Sequence, residues 1–570
     1  MSEITGTVYT LYNECQDCYK CVRRCPVKSI RIQDGHACVL SDKCISCGRC
    51  VASCPSHAKR VRSDWEAVKK LLSTKKEVYV SLAPSWRASF PCTSKQLIAT
   101  LKKLGFAGVS ETAIGAEEVS IETARMLNKK DKGLMISSAC PVIVKYIRLY
   151  KPELSEYITP IASPALTHAK FLKKTYGKNI SVVFIGPCIA KKEESDNHKD
   201  LIDYALTFEE LKIWLKESDR KLETGDCAEE NFVPEYAHEG ALYPLDGGMN
   251  ETIKKVGVND KVQLCQVCSL EAFDLAVQDL SLDKIQNPIF IEALACVGGC
   301  VHGPCISTKD SDTNNISRIL RHVKTREPVP TKPRVVVKEE YTSMPVSDKP
   351  YTVDEIREAL KRIGKYAPED ELNCAGCGYQ TCQEMAKALL DGNAEPSMCV
   401  SYMRKIATKK ASAMLKSIPS AMVILDKNLN IMETNEAFIK MFAKADKEQY
   451  LSDSSKIIGF PISDFFEAEK VFTSALSGIK EVHKENHKFN NKFYDLHVFP
   501  IEENLSIGVT ITDITNVNRS HEIVAQKAKE VIDKNIATVQ QIACLLGEHM
   551  VETETILNTI ASEYNAEDED

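Results

Sequence analysis

The sequence predicts a multidomain chain of α/β and α+β architecture, on three observations. Its 570 residues suit about three to five domains at roughly 100–200 residues each. Between about 65 and 323, apolar strand-like runs alternate with helix-period segments, the pattern of a mainly parallel sheet. The 23 cysteines fall in tight groups of fixed spacing. Charge narrows the function classes. Lys plus Arg is 73, Asp plus Glu is 79 and the formal net charge is -6, so no basic excess favours nucleic acid as a partner. The opening MSEITGTVYTLYNECQD has neither an apolar h-region nor twin arginines, and no run of about 18 apolar residues occurs. A cytoplasmic protein without a membrane span is expected. In a reducing cytoplasm, metal ligation explains so many cysteines better than disulfides do.

Taken in order, residues 1–64 are cysteine-dense and short of apolar runs, so metal clusters must hold them together. In 65–323, strands are expected at 78–82, 134–137 and 182–185, and helices at 95–104, 117–127 and 208–216. Residues 324–350 read as a linker, with prolines at 328, 330, 333, 345 and 350. A module at 351–412 opens with a capping box, Thr352 and Glu355, before a helix over 356–365. Residues 413–516 form a further domain, with strands at 421–425, 431–433, 483–489, 493–500 and 505–513. Residues 426–430 make a turn, and Asn490–Asn491 suits a two-residue hairpin. The tail, 517–570, is helical, with apolar positions Ile523, Val531, Ile542, Leu546, Ile556 and Ile560, and ends in AEDED.

The first motif is Cys15-x2-Cys18-x2-Cys21-x3-Cys25-Pro26, repeated as Cys44-x2-Cys47-x2-Cys50-x3-Cys54-Pro55. This is the bacterial ferredoxin run, in which the fourth cysteine ligates the other cluster. Cys15, Cys18, Cys21 and Cys54 then hold one 4Fe-4S cluster, and Cys44, Cys47, Cys50 and Cys25 the second. A perfect duplicate of eight cysteines disfavours zinc or free thiols; Cys38, outside both motifs, reads as a plain thiol.

Three separated loops follow: Ser137-Ser138-Ala139-Cys140-Pro141, Gly186-Pro187-Cys188-x2-Lys191-x2-Glu194 and Glu292-x3-Cys296-x3-Cys300. Behind a paired-cluster front end, they resemble the iron-only (FeFe) hydrogenases, whose active-site cluster sits in loops of the form TSCCP, MPCxxKxxE and ExMACxxGCxxGG. The likeness covers roughly residues 1–320. It implies that Cys140, Cys188, Cys296 and Cys300 hold a 4Fe-4S cube. Cys300 would bridge it to a diiron unit carrying CO, cyanide and a dithiolate. It also implies that Lys191 and Ser85 bond the cyanides.

This sequence departs from the pattern at three places. Ala139 stands where fast relatives have a proton-relaying cysteine, and a methyl group cannot relay a proton. Gly186 and Leu294 replace two methionines, and Gly186 is expected to open space beside the diiron unit. These changes resemble the sensory branch of the family and imply slow turnover. Glu122 is the candidate pathway carboxylate, whereas His302 and Cys305 read as structural and Cys265-x2-Cys268 as ordinary thiols.

Cys374-x2-Cys377-x4-Cys382-x16-Cys399 resembles a small 4Fe-4S module, with tetrahedral zinc as the rival. The segment 413–516 resembles a PAS domain through Ile418–Asp426, Asn435-x-Ala437-Phe438 and Asp513-Ile514-Thr515. No haem is expected at His483, His487 or His497. The tail helix suits a two-stranded signalling coil and so a homodimer. No kinase signature follows, so output would pass to another protein, such as a kinase or phosphatase. The expected function is reversible H2 oxidation with sensing through the PAS segment. A ferredoxin-linked catalytic hydrogenase is one rival. An iron–sulfur assembly or scaffold protein lacking the diiron unit is another, and a purely interacting PAS scaffold a third.

Overall fold

The computed structural model describes residues 6–515, apart from 220–221, 225–226, 228, 279, 281–283, 308–309, 324–329, 331, 348, 444–445 and 478–480, together with residues 528–538. The chain divides into two compact units, Met1–Glu395 and Pro396–Asp570.

The first unit opens with two antiparallel pairs of short strands, Val8–Thr10 with Lys59–Val61 and Ile30–Gln33 with His36–Val39. Their core is small, built around Val22, Ile30 and Ile32. The cysteine loops turn sharply through left-handed residues, among them Asp17 (φ 49°), Tyr19 (φ 53°), Ser46 (φ 56°) and Gly48 (φ 78°).

Seven parallel strands follow: β1 (Val78–Leu82), β2 (Gly108–Glu111), β3 (Gly133–Ile136), β4 (Ser181–Gly186), β5 (Tyr204–Thr207), β6 (Gln263–Cys268) and β7 (Pro288–Leu294). They form two sheets rather than one, ordered β2-β1-β4-β5 and β6-β7-β3. The central strands β1 and β4 are buried throughout and apolar, as strands covered on both faces must be. The division follows from helix α1 (Ala113–Lys129), which is buried on nearly every side. Its small residues admit close neighbours: a Cβ on Gly115 would fall 2.2 Å from the Pro164 carbonyl oxygen. So closely packed, α1 sits inside the domain and carries the chain from the first sheet to the second.

The described part of the proline-rich segment is not a free tether. The Ala162 N–H donates to the Val337 carbonyl, the Glu339 N–H to Pro160, the Met344 N–H to Arg148 and the Val346 N–H to Leu149. Val337 is buried and Arg334 pairs with Glu118 of α1. Its prolines bar a regular strand, but an inward valine and an ion pair lay it against the domain. The capping box of Thr352 and Glu355 starts the helix Val353–Arg362, and Cys382–Leu390 makes the next helix. The boundary between units falls inside 351–412, so Cys374, Cys377 and Cys382 belong to the first unit and Cys399 to the second.

The second unit has a helix, Val400–Ser417, and five antiparallel strands: β8 (Ala421–Asp426), β9 (Ile431–Thr434), β10 (Val482–Phe489), β11 (Lys492–Glu502) and β12 (Ser506–Asp513). Their order is β9-β8-β12-β11-β10. The Asp426 carboxylate accepts N–H bonds from Asn428 and Asn430, both at 2.8 Å, closing the first turn. Asn490 and Asn491, at φ 50° and 61°, make the hairpin turn between β10 and β11. Phe438, Phe466 and Phe472 fill the core. Residues 528–538 are helical, and Val531 packs against Ile418, Met422 and Phe499. The tail positions Ile523, Ile542, Leu546, Ile556 and Ile560 lie outside the described residues. Among the described residues, no helix is long and apolar enough to cross a membrane.

Candidate iron–sulfur and active site

Parallel α/β sheets gather ligands at the carboxyl ends of their strands, and both sheets of the first unit do so here. Ser85 follows β1 and Cys188 follows β4. Cys140 follows β3, and Cys296 and Cys300 follow β7. All five line one cavity of about 110 Å³, together with Ala139, Lys191 and Leu294. The loops are pinned by their own polar groups. Cys140 caps a ten-residue helix with Pro141 at its first position, so its thiol stands at that helix's N-terminus. The Ser138 hydroxyl donates to the Ile161 carbonyl at 2.6 Å, and the Ala139 N–H to Ser137 Oγ at 3.2 Å.

Lys191 lies on helix α2 (Ala190–Asn197). Its Nζ donates to Ser163 Oγ at 2.9 Å and to Glu194 Oε2 at 2.6 Å. The spacing of the CxxKxxE loop thus has a local reason, since Glu194 one turn on holds the ammonium in place. Ser85 is 1% exposed, and its hydroxyl has no hydrogen-bond partner among the described residues. A buried hydroxyl left unbonded is costly, so this atom awaits an acceptor. Burial pushes the Cys188 thiol up to about 11 and raises Cys296 and Cys300 well above their ordinary value; neighbouring thiolates add to each shift. Thiols so raised keep their protons unless a metal supplies positive charge. Four thiols, a cation and an unpartnered hydroxyl in an apolar cavity fit an anionic iron–sulfur centre.

Other expected site features are placed differently. Glu122 does not line the cavity; it is paired with Arg125 three residues on. The carboxylates that α1 buries are Glu117, paired with His238, and Glu118, paired with Arg334. Gly186 does not open space. A Cβ there would fall 2.5 Å from Phe184 Cζ and 2.9 Å from Ala83 Cβ, so the Phe184 ring occupies what a longer side chain would have filled. The sequence reading also passed over Glu292, whose carboxylate accepts the N–H groups of Met249 and Asn250. Burial pushes it up to about 7. It heads the third loop motif, which was the available signal. His302 pairs with Asp312, and Cys268 Sγ donates to Asp246 Oδ1 at 3.0 Å.

In the N-terminal region, burial and then the charges of Cys44 and Cys47 raise the Cys50 thiol, with Cys25 contributing; Cys25 likewise acts on Cys44 and Cys47. Cys21 is pushed up to about 11 by burial, with Cys18 and Cys15 contributing. Cys25 therefore lies near Cys44, Cys47 and Cys50. Cys47 is also close enough to Cys296 for their charges to interact. Gly48 makes that approach possible, since a Cβ on it would lie 2.6 Å from Pro304 Cβ and 2.7 Å from Ile189 Cδ1.

Comparison with known proteins agrees with this geometry. Residues 76–304 match the family described as iron only hydrogenase large subunit, C-terminal domain. Residues 7–56 match a 4Fe-4S dicluster domain, and residues 370–401 an Fe-S cluster family. The chain is similar to iron hydrogenase 1 of Clostridium pasteurianum, 27% identical over 46% of this chain and 56% of that protein. It is similar to the periplasmic Fe hydrogenase large subunit of Nitratidesulfovibrio vulgaris, 29% identical over 37% of this chain and 62% of that protein. It also resembles a protein of Drosophila erecta named as a cytosolic Fe-S cluster assembly factor, at 23% identity over 43% of this chain and 63% of that protein. The matches thus span less than two thirds of each relative's length. Residues 76–304 are an iron-only hydrogenase-like domain, and a 4Fe-4S ferredoxin-type domain precedes it over residues 7–56.

Proposed function

We propose that the protein reversibly oxidises H2 with slow turnover and reports hydrogen or redox state through its second unit. The observation that carries this reading is the convergence of Cys140, Cys188, Cys296 and Cys300 with Lys191 and the unpartnered Ser85 hydroxyl in one buried cavity. Bound there, with Cys300 among the residues that would hold it, a diiron unit with CO, cyanide and dithiolate ligands beside a 4Fe-4S cube would supply the chemistry that splits H2 into two protons and two electrons. The four thiolates would hold the cube. Lys191, steadied by Glu194 and Ser163, would present its ammonium to an anionic ligand, and the Ser85 hydroxyl would donate to another. Phe184, Leu294 and Pro164 wall the cavity with apolar surface and keep water from these charges. Ala139 offers no proton acceptor at the cavity's edge, which is the physical basis for slow turnover.

The ferredoxin-type domain would carry two 4Fe-4S clusters in the crossed pairing, and Cys374, Cys377, Cys382 and Cys399 a further one. A ferredoxin-type protein suits the electron partner. The antiparallel order β9-β8-β12-β11-β10 and the preceding helix favour a PAS domain at 413–516. A signalling protein such as a kinase or phosphatase, in the cytoplasm, would read its state, with the tail pairing in a homodimer. The assembly-factor reading has the Drosophila likeness on its side; the Lys191 and Ser85 placement weighs against it, since cubes alone need neither group. Anaerobic H2 uptake by the matured protein, with a soluble dye as acceptor, tests the proposal. Uptake that is slow but measurable, and abolished in Lys191→Met, supports it. Uptake equal in both proteins, or absent from both, rejects it.

A further inference from the structure

The short loop between Cys377 and Cys382 is seated on the ferredoxin-type domain, inside the first unit. Gly378, at φ 100°, brings its backbone so near that a Cβ would lie 3.2 Å from both Arg23 N and Val22 Cγ1. Arg23 Nη2 donates to the Cys18 carbonyl at 2.8 Å, and its Nη1 reaches the Gly376 carbonyl at 3.5 Å. The seat extends further: the Ile32 N–H donates to the Asn393 carbonyl at 2.9 Å, and the Gly35 N–H to Glu395 Oε1 at 3.4 Å. Tyr379 is folded into this junction. It is 5% exposed, and its hydroxyl is buried with no hydrogen-bond partner among the described residues. The charges of Cys377 and Cys25 both act on that hydroxyl. Lys28, whose Nζ donates to the Val22 carbonyl at 3.3 Å, feels the same two cysteines.

We propose that Tyr379 is a positioning residue of this junction, its hydroxyl donating to a sulfur of the iron–sulfur cluster held by Cys374, Cys377 and Cys382. The inference rests on the cluster content proposed above. A buried phenol is usually bonded, and leaving it unpaired costs about 1–3 kcal/mol. In this junction the acceptors missing from the protein itself are those that cluster sulfurs provide. A hydrogen bond to sulfur stabilises the reduced, more negative cluster and raises its potential. Cys25 belongs with Cys44, Cys47 and Cys50, and Cys47 lies by Cys296. The junction therefore gives the C-terminal cysteine group a neighbour on the catalytic side of the ferredoxin-type domain.

The test is a redox titration of the full-length, cluster-loaded protein followed by electron paramagnetic resonance. It needs no hydrogenase activity. The C-terminal cluster is identified by the signal lost in Cys374→Ala. Tyr379→Phe keeps the ring and removes the O–H. The expected result is a lower midpoint potential for that signal, with the signal of the Cys15, Cys18, Cys21 and Cys54 group unmoved. An unmoved C-terminal potential, or an equal shift of every cluster, overturns the inference while the cluster reading stands. If the native protein has no signal that Cys374→Ala removes, the cluster reading fails and the inference falls with it.

Discussion

Gly48 is where the ferredoxin-type domain meets the cysteine loops of the hydrogenase-like domain, and its replacement by alanine measures how tightly they meet. The residue lies between Cys47 and Cys50 at φ 78° and ψ 0°. An alanine in this left-handed conformation costs about 1–2 kcal/mol. The added Cβ would fall 2.6 Å from Pro304 Cβ, 2.9 Å from Pro304 Cγ and 2.7 Å from Ile189 Cδ1. The isoleucine methyl can rotate away, but the proline ring cannot, and Ile189 is itself buried among close-packed atoms. Overpacking adds about 1–3 kcal/mol. Gly392→Ala is the control: φ is 69° and nothing lies within 4 Å, so it carries the backbone cost alone. The assay is the rate at which cluster absorbance bleaches in fixed guanidinium. An excess of about 1–3 kcal/mol makes Gly48→Ala bleach about 5- to 150-fold faster than Gly392→Ala when the contact is lost before the barrier. Equal rates would refute the packed interface and, with it, the close approach of Cys47 to Cys296.

Ala139→Cys restores a titratable thiol at the cavity edge. No carboxylate lines that cavity among the described residues, so H2 uptake rises by at least about tenfold, short of the about 10²–10⁴ of a complete relay; an unchanged rate contradicts this. Glu292 keeps its proton in the folded state up to about pH 7, whereas its ordinary value is 4.5. The folded state binds more protons between those values, so stability falls as pH rises through that window, by up to about 3 kcal/mol. Glu292→Gln flattens the decline, read from denaturation midpoints at pH 5 and 7.5. Lys192 is fully buried, with its Nζ 2.9 Å from Asp64 Oδ2 and 2.8 Å from Glu210 Oε2. Lys192→Met leaves the buried Glu210 carboxylate without its cation, whereas Asp64 keeps Arg62 at 3.0 Å, and costs about 3–5 kcal/mol, seen as a lower denaturation midpoint.

Local pattern was legible in the sequence wherever one element decides it. Helix and strand periods located β1 and β4, the capping box at Thr352 and the Asn490–Asn491 turn, because these depend on neighbours in the chain. The cysteine loops were legible because their spacing is set by the cube that they wrap. Contacts between distant segments were not. That Phe184 fills the space beside Gly186 depends on where β1 and β4 put their side chains. The seat of the Cys377–Cys382 loop on Val22 and Arg23 joins residues more than about 350 positions apart, and no period records it. The sequence does not separate Glu122 from Glu117 and Glu118, because α1 carries several carboxylates and its period alone does not say which of them turns inward. The separation into two sheets was hidden for the same reason: it follows from the burial of α1, which only packing reveals.

The proposed function requires that the cavity between the two sheets hold a hydrogen-reactive diiron unit. Infrared spectroscopy of the anaerobic, matured protein, with and without H2, tests it most directly. CO and cyanide bands that shift on exposure to H2, and that are lost in Lys191→Met while the cube iron stays bound, are the expected result. A protein with fully loaded cubes and no such bands would contradict it and favour the assembly-factor reading.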